Sequence, residues 1–225
     1  MGELGRNHEI RETQQPELEE TKELTLENDG DAEEAREYID NMFDGDIDCE
    51  EDTEPENPHE ETRDGKTYYY DDNGEIYRVN DDLAPNAEYE INGYKYKTDE
   101  NGRIVSAEGT LHMKNREGRR PIKDTIEDIG KGDQKEGDDR GHLIGDQFDG
   151  SNGMENMIPQ DANINRNDYK NFENELAKEV KDGKEVYMKV EPVYEGESRR
   201  PVAILVTYTI DGEESVRIFP NGQEE

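Results

Sequence analysis

The stretch GDDRGHLIGDQFDG, residues 137–150, places His142 among acids, amides and glycines in a chain with only four histidines. Histidine changes charge near neutral pH, so a neutral imidazole can take a proton from water and pass it on. The ordinary alternative is a satisfied polar histidine on the surface, and we give that interpretation to His8, His59 and His112. The residues that follow in the sequence indicate which of the two interpretations applies to His142.

A second polar segment follows as NGMENMIPQDANINRNDYKNFENE, residues 152–175, and it is rich in asparagine. Its second half predicts a helix over about 165–181, because apolar residues recur there every three or four positions. These residues are Tyr169, Phe172, Leu176 and Val180.

Two polar residues of this predicted helix, Asn165 and Glu173, lie eight positions apart. In an α-helix that spacing turns Glu173 only ~80° from Asn165 and brings it close to the apolar stripe. Both polar groups are therefore expected to point toward the domain. A buried polar group without a partner costs ~1 to 3 kcal/mol, and a hydrated Mg2+ ion is one partner that suits an amide oxygen and a carboxylate.

The motif DRGH at 139–142, followed by NMIPQDANINRNDYKNFENE at 156–175, resembles the DNA/RNA non-specific endonucleases of the ββα-metal (His-Me finger) group. That family's pattern is D-R-G-H, then N-x-x-P-Q, then an asparagine and a glutamate on the following helix. The resemblance covers about 65–225. Within the family the chain is most similar to nuclease domains at the C-termini of bacterial polymorphic toxins, including those of type VII secretion and LXG proteins.

The resemblance implies a role for each matching residue. His142 would be the general base, Asn165 the sole protein ligand of a magnesium ion, and Glu173 the residue that holds the water shell of the metal. Asn152 matches an asparagine that helps to orient the active site, and Arg140 matches the arginine of the motif. Mn2+ is expected to substitute for Mg2+.

The family also uses a separate arginine to stabilise the transition state, and spacing does not locate it here. Arg119 and Arg120 are the candidates, because they stand in the basic cluster upstream of the DRGH motif. The cluster consists of Lys114, Arg116, Arg119, Arg120 and Lys123.

The remaining sequence predicts an α+β fold with an antiparallel sheet and few helices. Alternating runs with Asn-Gly turns at 66–79 and 87–113 predict hairpins, and strand patterns return at 185–196 and 201–212. Residues 114–141 form a long polar connection, of the kind that is usually functional or disordered. With the resemblance, this pattern is expected to be a ββα-metal nuclease core.

The N-terminal part has a different composition. Residues 1–64 contain 25 acids and 5 bases, which predicts a largely disordered acidic tail ahead of a domain at 65–225. One segment in the tail, DAEEAREYIDNMF at 31–43, has an apolar stripe at helical spacing. It is expected either to dock on the domain as a helix or to be no more than nascent helix.

The net charge of −34 favours a different class of function. Enzymes that bind nucleic acid are usually basic, because neutralising phosphates dominates affinity. An acidic binding protein, such as a nucleic-acid mimic or an immunity-type inhibitor, would explain the charge without catalysis. Such a protein would not explain why His142, Asn165 and Glu173 occur at nuclease spacing. A degenerate nuclease that is kept for binding would explain both the charge and the spacing.

The sequence therefore predicts a metal-dependent, sequence-non-specific endonuclease acting on DNA, RNA or both, as the toxin domain of a bacterial secreted effector. The expected partners are the nucleic acid substrate and a cognate immunity protein, with no membrane. No Sec signal and no run of 18 apolar residues occurs in the chain, so the expected locations are outside the cell by a non-Sec route or the cytoplasm.

Overall fold

A computed structural model describes residues 58–222 of the chain. Most of the predicted acidic tail, including the helical segment expected at 31–43, lies outside the described residues.

Twelve strands in this part of the chain form three antiparallel sheets with four, six and two strands. The strands are β1 (His59–Arg63), β2 (Lys66–Tyr70), β3 (Ile76–Val79), β4 (Asp82–Leu83), β5 (Glu88–Ile91), β6 (Tyr94–Thr98), β7 (Ile104–Thr110), β8 (Asp138–His142), β9 (Met157–Asp161), β10 (Val186–Val193), β11 (Ala203–Ile210) and β12 (Glu213–Pro220). Strands β1 to β4 form the first sheet in chain order, and the six-stranded sheet has the order β12-β11-β10-β7-β6-β5. The two-stranded sheet consists of β8 and β9.

The predicted hairpins are present. Asn92 and Gly93, both at positive φ, form the tight turn between β5 and β6, as Asn-Gly turns with this backbone usually do. In β6 the buried rings of Tyr94 and Tyr96 alternate with lysines on the other face, so one face of the strand packs on the core. Strands β10, β11 and β12 follow one another as hairpins at the opposite edge of the same sheet.

The predicted helix is also present, as α2 (Lys170–Lys181), preceded by a π-helical segment, Ile164–Tyr169. Its apolar stripe is buried, and the rings of Tyr169 and Phe172 both contact Phe219 of β12. The expected angle between Asn165 and Glu173 assumed an α-helix throughout. That assumption was wrong, because π-helical hydrogen bonds join residues five apart and so turn the backbone less per residue.

Two further segments differ from expectation. The polar connection at 114–141 contains a one-turn helix, α1 (Ile126–Gly130), which Thr125 and Asp128 cap with reciprocal side-chain hydrogen bonds. Strand β1 lies inside the segment assigned to the tail, since it pairs with β2 over its whole length. The predicted boundary at 64/65 therefore follows β1, and the division into tail and domain stays a prediction.

Strands β8 and β9 bring the two sequence motifs together. Their antiparallel register pairs Asp139 with Gln160 and His142 with Met157, so DRGH lies beside the PQ segment. Gly141 is needed in this hairpin, because a Cβ atom there would overlap the side chain of Gln160. The helical segment follows β9 directly, which gives a ββα unit within an α+β fold, as predicted.

Candidate active site

His142 ends strand β8 and is only 8% exposed. Its Nε2 atom lies 3.0 Å from Oδ1 of Asn152. An amide oxygen only accepts hydrogen bonds, so Nε2 carries the proton in this arrangement and Nδ1 is the basic nitrogen. Asn152, chosen from the sequence as an orienting residue, is thus in direct contact with the imidazole.

The surroundings of His142 keep its ring neutral. Burial lowers its pKa from the usual value because the charged imidazolium is less well solvated. The hydrogen bond to Asn152 opposes this effect, while the positive charges of Arg119 and Arg140 add to it. A neutral imidazole at neutral pH is the form that a general base requires.

His142, Asn165 and Glu173 line one cleft of about 350 Å³, which we call the catalytic cleft. Arg119 lies on its wall, and Gly145 and Gln147 come from the segment just after β8. The three residues that the sequence grouped by spacing are therefore grouped in space.

Glu173 projects from α2 with its carboxylate against the turn that follows β8. Burial raises the pKa of Glu173 to about 8. The backbone hydrogen bond at Gly145, the charge of Arg119 and a hydrogen bond with Gln147 lower the pKa, but by less than burial raises it. Its Oε1 atom is buried and has no hydrogen-bond partner among residues 58–222. A Cβ atom on Gly145 would overlap this carboxylate, so the glycine leaves the room that Glu173 occupies. Neither Gly145 nor Gln147 was predicted, because only the fold brings them to the helix.

Asn165 is held by the first residue of the DRGH motif. Its Nδ2 atom donates to Oδ2 of Asp139 at 2.9 Å, and Asp139 also accepts two hydrogen bonds from Arg166 at 2.8 and 2.6 Å. Because Asp139 takes the amide nitrogen, the amide oxygen of Asn165 is the atom left to act as a ligand. We did not predict this role of Asp139, although the motif itself was the signal that could have found it.

The upstream basic cluster is mostly neutralised by ion pairs. Lys114 and Arg116 contact Asp146 at 2.5 and 2.6 Å, and Arg120 lies 3.6 Å from Asp149. Despite partial burial, these contacts lower the pKa of Asp146 to about 2. Within the described residues no carboxylate lies within ion-pair distance of Arg119, which leaves its charge available to the catalytic cleft.

Arg140, the arginine of the DRGH motif, is not among the residues that line the catalytic cleft. Its Nη1 atom donates to the carbonyl oxygen of Asp124 at 2.7 Å. It lines a neighbouring cleft of about 520 Å³, which we call the cationic cleft. Four arginines line it, together with a single acid, Asp139; the arginines are Arg119, Arg120, Arg140 and Arg166.

The catalytic cleft fits a hydrated divalent cation. The part of the chain at 58–222 contains no group of three or more histidine, cysteine or acidic side chains that could enclose an ion. The oxygen atoms in the cleft that could face such an ion include the amide oxygen of Asn165 and the carboxylate of Glu173, whose buried Oε1 atom lacks a partner among the described residues, whereas Asp146 is paired with Lys114 and Arg116. A small set of oxygen donors suits Mg2+, which keeps several of its own waters.

Comparison with known proteins agrees with these observations. A family model described as DNA/RNA non-specific endonuclease matches residues 85–212. The Type VII secretion system protein EssD from Staphylococcus aureus strains USA300 and NCTC 8325 / PS 47 is 35% identical over 147 residues, which is 62% of this chain and 24% of EssD. The chain thus spans about a quarter of the length of these curated relatives.

Two solved structures are also similar. NucA from Streptococcus agalactiae, solved with no metal bound, is 19% identical; the match covers 74% of this chain and 84% of NucA, with a TM-score of 0.43. The Sda1 nuclease, solved with a bound zinc ion, is 34% identical over 38% of this chain and 39% of its own, with a TM-score of 0.34.

The family model spans more than half of the chain and includes every residue that lines the catalytic cleft. The chain therefore belongs to the DNA/RNA non-specific endonuclease family and is a hydrolytic nuclease.

Proposed function

We propose that this chain hydrolyses phosphodiester bonds of DNA, RNA or both without sequence specificity, in a reaction that depends on a divalent metal. The observation that carries the proposal is the convergence of His142, Asn165 and Glu173 on one cleft that also contains Arg119. Of these residues, His142 carries the neutral imidazole that can accept a proton from water near neutral pH.

His142 acts as the general base. Its Nδ1 atom takes a proton from a water molecule, and the water oxygen forms a bond to phosphorus while the bond to the 3′ oxygen breaks. The 3′ oxygen leaves with the bonding electron pair and takes a proton from solvent to become a hydroxyl. The products carry 5′ phosphates, and no covalent enzyme intermediate forms. Asn152 holds the ring by its contact with Nε2, and a base placed in this way contributes ~100- to 10,000-fold to the rate.

Asn165 and Glu173 would hold the metal. The amide oxygen of Asn165 would serve as its ligand, and the carboxylate of Glu173 would accept hydrogen bonds from its waters. When bound, Mg2+ supplies positive charge that stabilises the developing anion and the leaving oxygen, and Mn2+ can replace it. The contact between Asp139 and Asn165 supports this assignment, since it turns the amide nitrogen away from the ligand position.

Arg119 stabilises the transition state. It faces the same cleft as His142, and the described chain offers it no carboxylate partner. Arg120, the other candidate, lies beside Asp149 and lines the neighbouring cavities instead. Arg140 contributes charge to the cationic cleft, where it can bind a backbone phosphate.

Cleavage without sequence specificity follows from the kind of contacts available. Arginines and a metal ion recognise phosphate groups, which are the same in every sequence. The polar residues that line the catalytic and cationic clefts are mainly arginines, amides and acids, which suit contacts to phosphate and metal rather than a code for base pairs.

The relatives suggest a biological setting. EssD is named as a type VII secretion system protein, and this chain matches about a quarter of it. We propose that the domain is the toxin part of an effector that leaves the cell by a non-Sec route and meets a cognate immunity protein. Co-purification of a neighbouring gene product with the domain would support this proposal. If the domain is neither exported nor inhibited by such a product, the alternative of a cytoplasmic nuclease is favoured.

In residues 58–222 we find no helix with the length and apolar character needed to cross a bilayer.

The enzymatic proposal is tested by incubating the purified chain with plasmid DNA, single-stranded DNA and RNA in Mg2+, in Mn2+ and in EDTA. Degradation in either metal but not in EDTA, with 5′-phosphate ends, is the expected result. The His142→Ala variant should be inactive, and His112→Ala, which changes an exposed histidine stacked on Tyr94, should be active. If no divalent metal supports degradation, an acidic nucleic-acid mimic or inhibitor becomes the better explanation of the −34 charge.

A further inference from the structure

A separate cavity of about 300 Å³ lies next to the cationic cleft, and Tyr69 and Tyr77 form its aromatic wall. We call it the tyrosine pocket. It shares Arg120 and Pro121 with the cationic cleft, which in turn shares Arg119 with the catalytic cleft. The three cavities therefore form one continuous path along the surface of the domain.

We propose that the tyrosine pocket receives one unpaired nucleobase of the strand that is being cut. This proposal rests on the proposed nuclease function and assigns a substrate subsite to it. The sugar-phosphate backbone would run from the catalytic cleft through the cationic cleft, and the base would turn into the pocket.

The aromatic wall is held rigidly. The guanidinium of Arg78 lies 4.2 Å from the centre of the Tyr69 ring, and two hydrogen bonds, of 3.0 and 2.5 Å, fix Arg78 to the buried carboxylate of Asp124. Behind the pocket, Tyr77 stacks on Tyr89 with ring centres 4.8 Å apart. A ring that is already fixed loses little conformational entropy when a base packs against it, which favours binding.

The pocket also contains polar atoms that lack partners. Asn152 and Glu155 both line it, and Glu155 is only 2% exposed. Nδ2 of Asn152 and Oε2 of Glu155 are buried, and no hydrogen-bond partner for either occurs among the described residues. Every nucleobase has a ring nitrogen or carbonyl oxygen that an amide N–H can reach, so a base would satisfy the amide whatever its identity. The pocket would then tolerate any sequence.

Asn152 links the pocket to the catalytic base. Its Oδ1 atom contacts His142, and Asn152 also lines the pocket. Its Nδ2 atom is a buried donor with no hydrogen-bond partner among the described residues. A base that accepts a hydrogen bond from Nδ2 would fix the amide with its oxygen toward the imidazole. That orientation keeps the proton on Nε2 and leaves Nδ1 ready to take a proton from water.

The size of the pocket defines which substrates can use it. A volume of about 300 Å³ suits a single ring system and not a double helix. A paired base can enter only if it leaves the stack, which costs a few kcal/mol. The pocket therefore favours single strands, loops and mismatched positions.

The first test uses a single-stranded DNA oligonucleotide and the same strand with one abasic nucleotide. The measured bond is the phosphodiester bond that is cut when the base at this position occupies the pocket. For the wild-type chain, its cleavage rate should fall roughly 5- to 150-fold in the abasic strand, the range expected for loss of one base–aromatic contact. The Tyr69→Leu variant should cut the intact strand more slowly by a similar factor and should no longer distinguish the two strands. Tyr69→Phe keeps the ring and should still cut the intact strand faster than the abasic strand.

Tyr187→Leu is the matched control, because Tyr187 is a partly exposed tyrosine on strand β10 that lines none of the three cavities. It should show the full abasic effect, and thermal melting should establish that the variants are folded. Equal cleavage of both strands by the wild type, or an abasic effect that survives Tyr69→Leu, would overturn the proposal while leaving the nuclease function intact.

A binding measurement separates the two proposals from each other. The His142→Ala variant is mixed with a single strand that carries fluorescent 2-aminopurine, and the emission should change on binding. The change should disappear when Tyr69→Leu is added to His142→Ala. If the emission responds to Tyr69 but the wild type cuts no nucleic acid, the nuclease mechanism fails and the base pocket stands. If the emission is independent of Tyr69, the pocket is refuted.

Discussion

At the scale of single residues, the account depends on the protonation state of a buried imidazole. His142 loses most of its solvent on folding, and its hydrogen bond to Asn152 restores only part of the stabilisation of the charged form. The pKa of His142 is consequently below its usual value of 6.5. This direction of the shift favours the neutral imidazole that a general base requires.

The pH dependence of kcat/KM should reflect this shift. Activity requires neutral His142, so it should fall only as the pH drops through the lowered pKa, and the acid limb should lie below 6.5. The measurement is a pH profile of kcat/KM on single-stranded DNA at saturating Mg2+. A midpoint of the acid limb above 6.5 would mean that another group controls the rate or that His142 is better solvated than the structure indicates.

Glu173 should lower the stability of the metal-free protein. Its pKa rises from 4.5 to about 8 on folding, so its contribution to the free energy of unfolding decreases as the pH rises from about 4.5 to 8. Glu173→Gln resembles the protonated form at every pH. In EDTA, the variant should melt more than about 4 °C above the wild type at pH 8.5 and close to it at pH 4.5.

The control for this prediction is Glu175→Gln, two positions further along α2, where the carboxylate is exposed and pairs with Arg217. That change should alter the melting temperature by far less. If Glu173→Gln is not stabilising at pH 8.5, the carboxylate is not as desolvated as its surroundings indicate.

Sequence reasoning at this scale found the residues whose chemical types are unusual in their setting. His142, Asn165 and Glu173 were chosen in that way, whereas Asn152 came from the resemblance to the endonuclease family. In the structure His142 contacts Asn152 and lines the catalytic cleft together with Asn165 and Glu173. Their supporting partners were not found. The contact of Asp139 with Asn165 spans 26 positions along the chain, and no local pattern in the sequence encodes it.

At the scale of elements, the site is made by one hairpin and one helix. The register of β8 and β9 brings DRGH against the PQ segment, and α2 then crosses so that Glu173 meets the turn after β8. Alternation and Asn-Gly turns were enough to predict the hairpins of the six-stranded sheet. They were not enough to predict β8 and β9, because both strands are short and DRGH lacks the alternating pattern of a half-buried strand.

Gly145 provides a test of this arrangement that leaves the acid itself unchanged. In Gly145→Ala the new methyl group would overlap the Glu173 carboxylate and displace it from the cleft. The variant should lose activity by about the same factor as Glu173→Ala. The double variant should be little worse than either, because both changes remove the same interaction. Losses that multiply in the double variant would show that Gly145 acts independently of Glu173.

At the scale of the whole molecule, the distribution of charge explains how an acidic chain can bind an anionic substrate. The arginines of the cationic cleft concentrate positive charge on one face, although the chain carries −34 overall. The composition predicted the excess of acid correctly but gave no indication of the cleft. Its arginines come from positions 119–166 and are brought together by the fold. The division into tail and domain stays a prediction; β1 lies on the tail side of the predicted boundary at 64/65 but pairs with β2 on the domain side.

Removing the acidic N-terminal segment should increase activity at low salt. Residues 1–57 contain 22 acids and 4 bases, and their charge repels nucleic acid unless salt screens it. The deletion should end at residue 57, because Glu60 of β1 pairs with Lys123 at 3.0 Å. The measurement compares cleavage rates of full-length and truncated chains across a salt series. Rates that are unchanged or lower in the truncated chain at low salt would exclude an electrostatic effect of this segment.

The central claim is that His142 activates water for attack on a phosphate held in the catalytic cleft. The most direct test is the single-turnover rate of cleavage of single-stranded DNA at saturating Mg2+ for the wild type, His142→Ala and the control His112→Ala. We predict a loss of ~100- to 10,000-fold for His142→Ala, with His112→Ala close to the wild type. A His142→Ala rate close to that of the wild type would contradict the account.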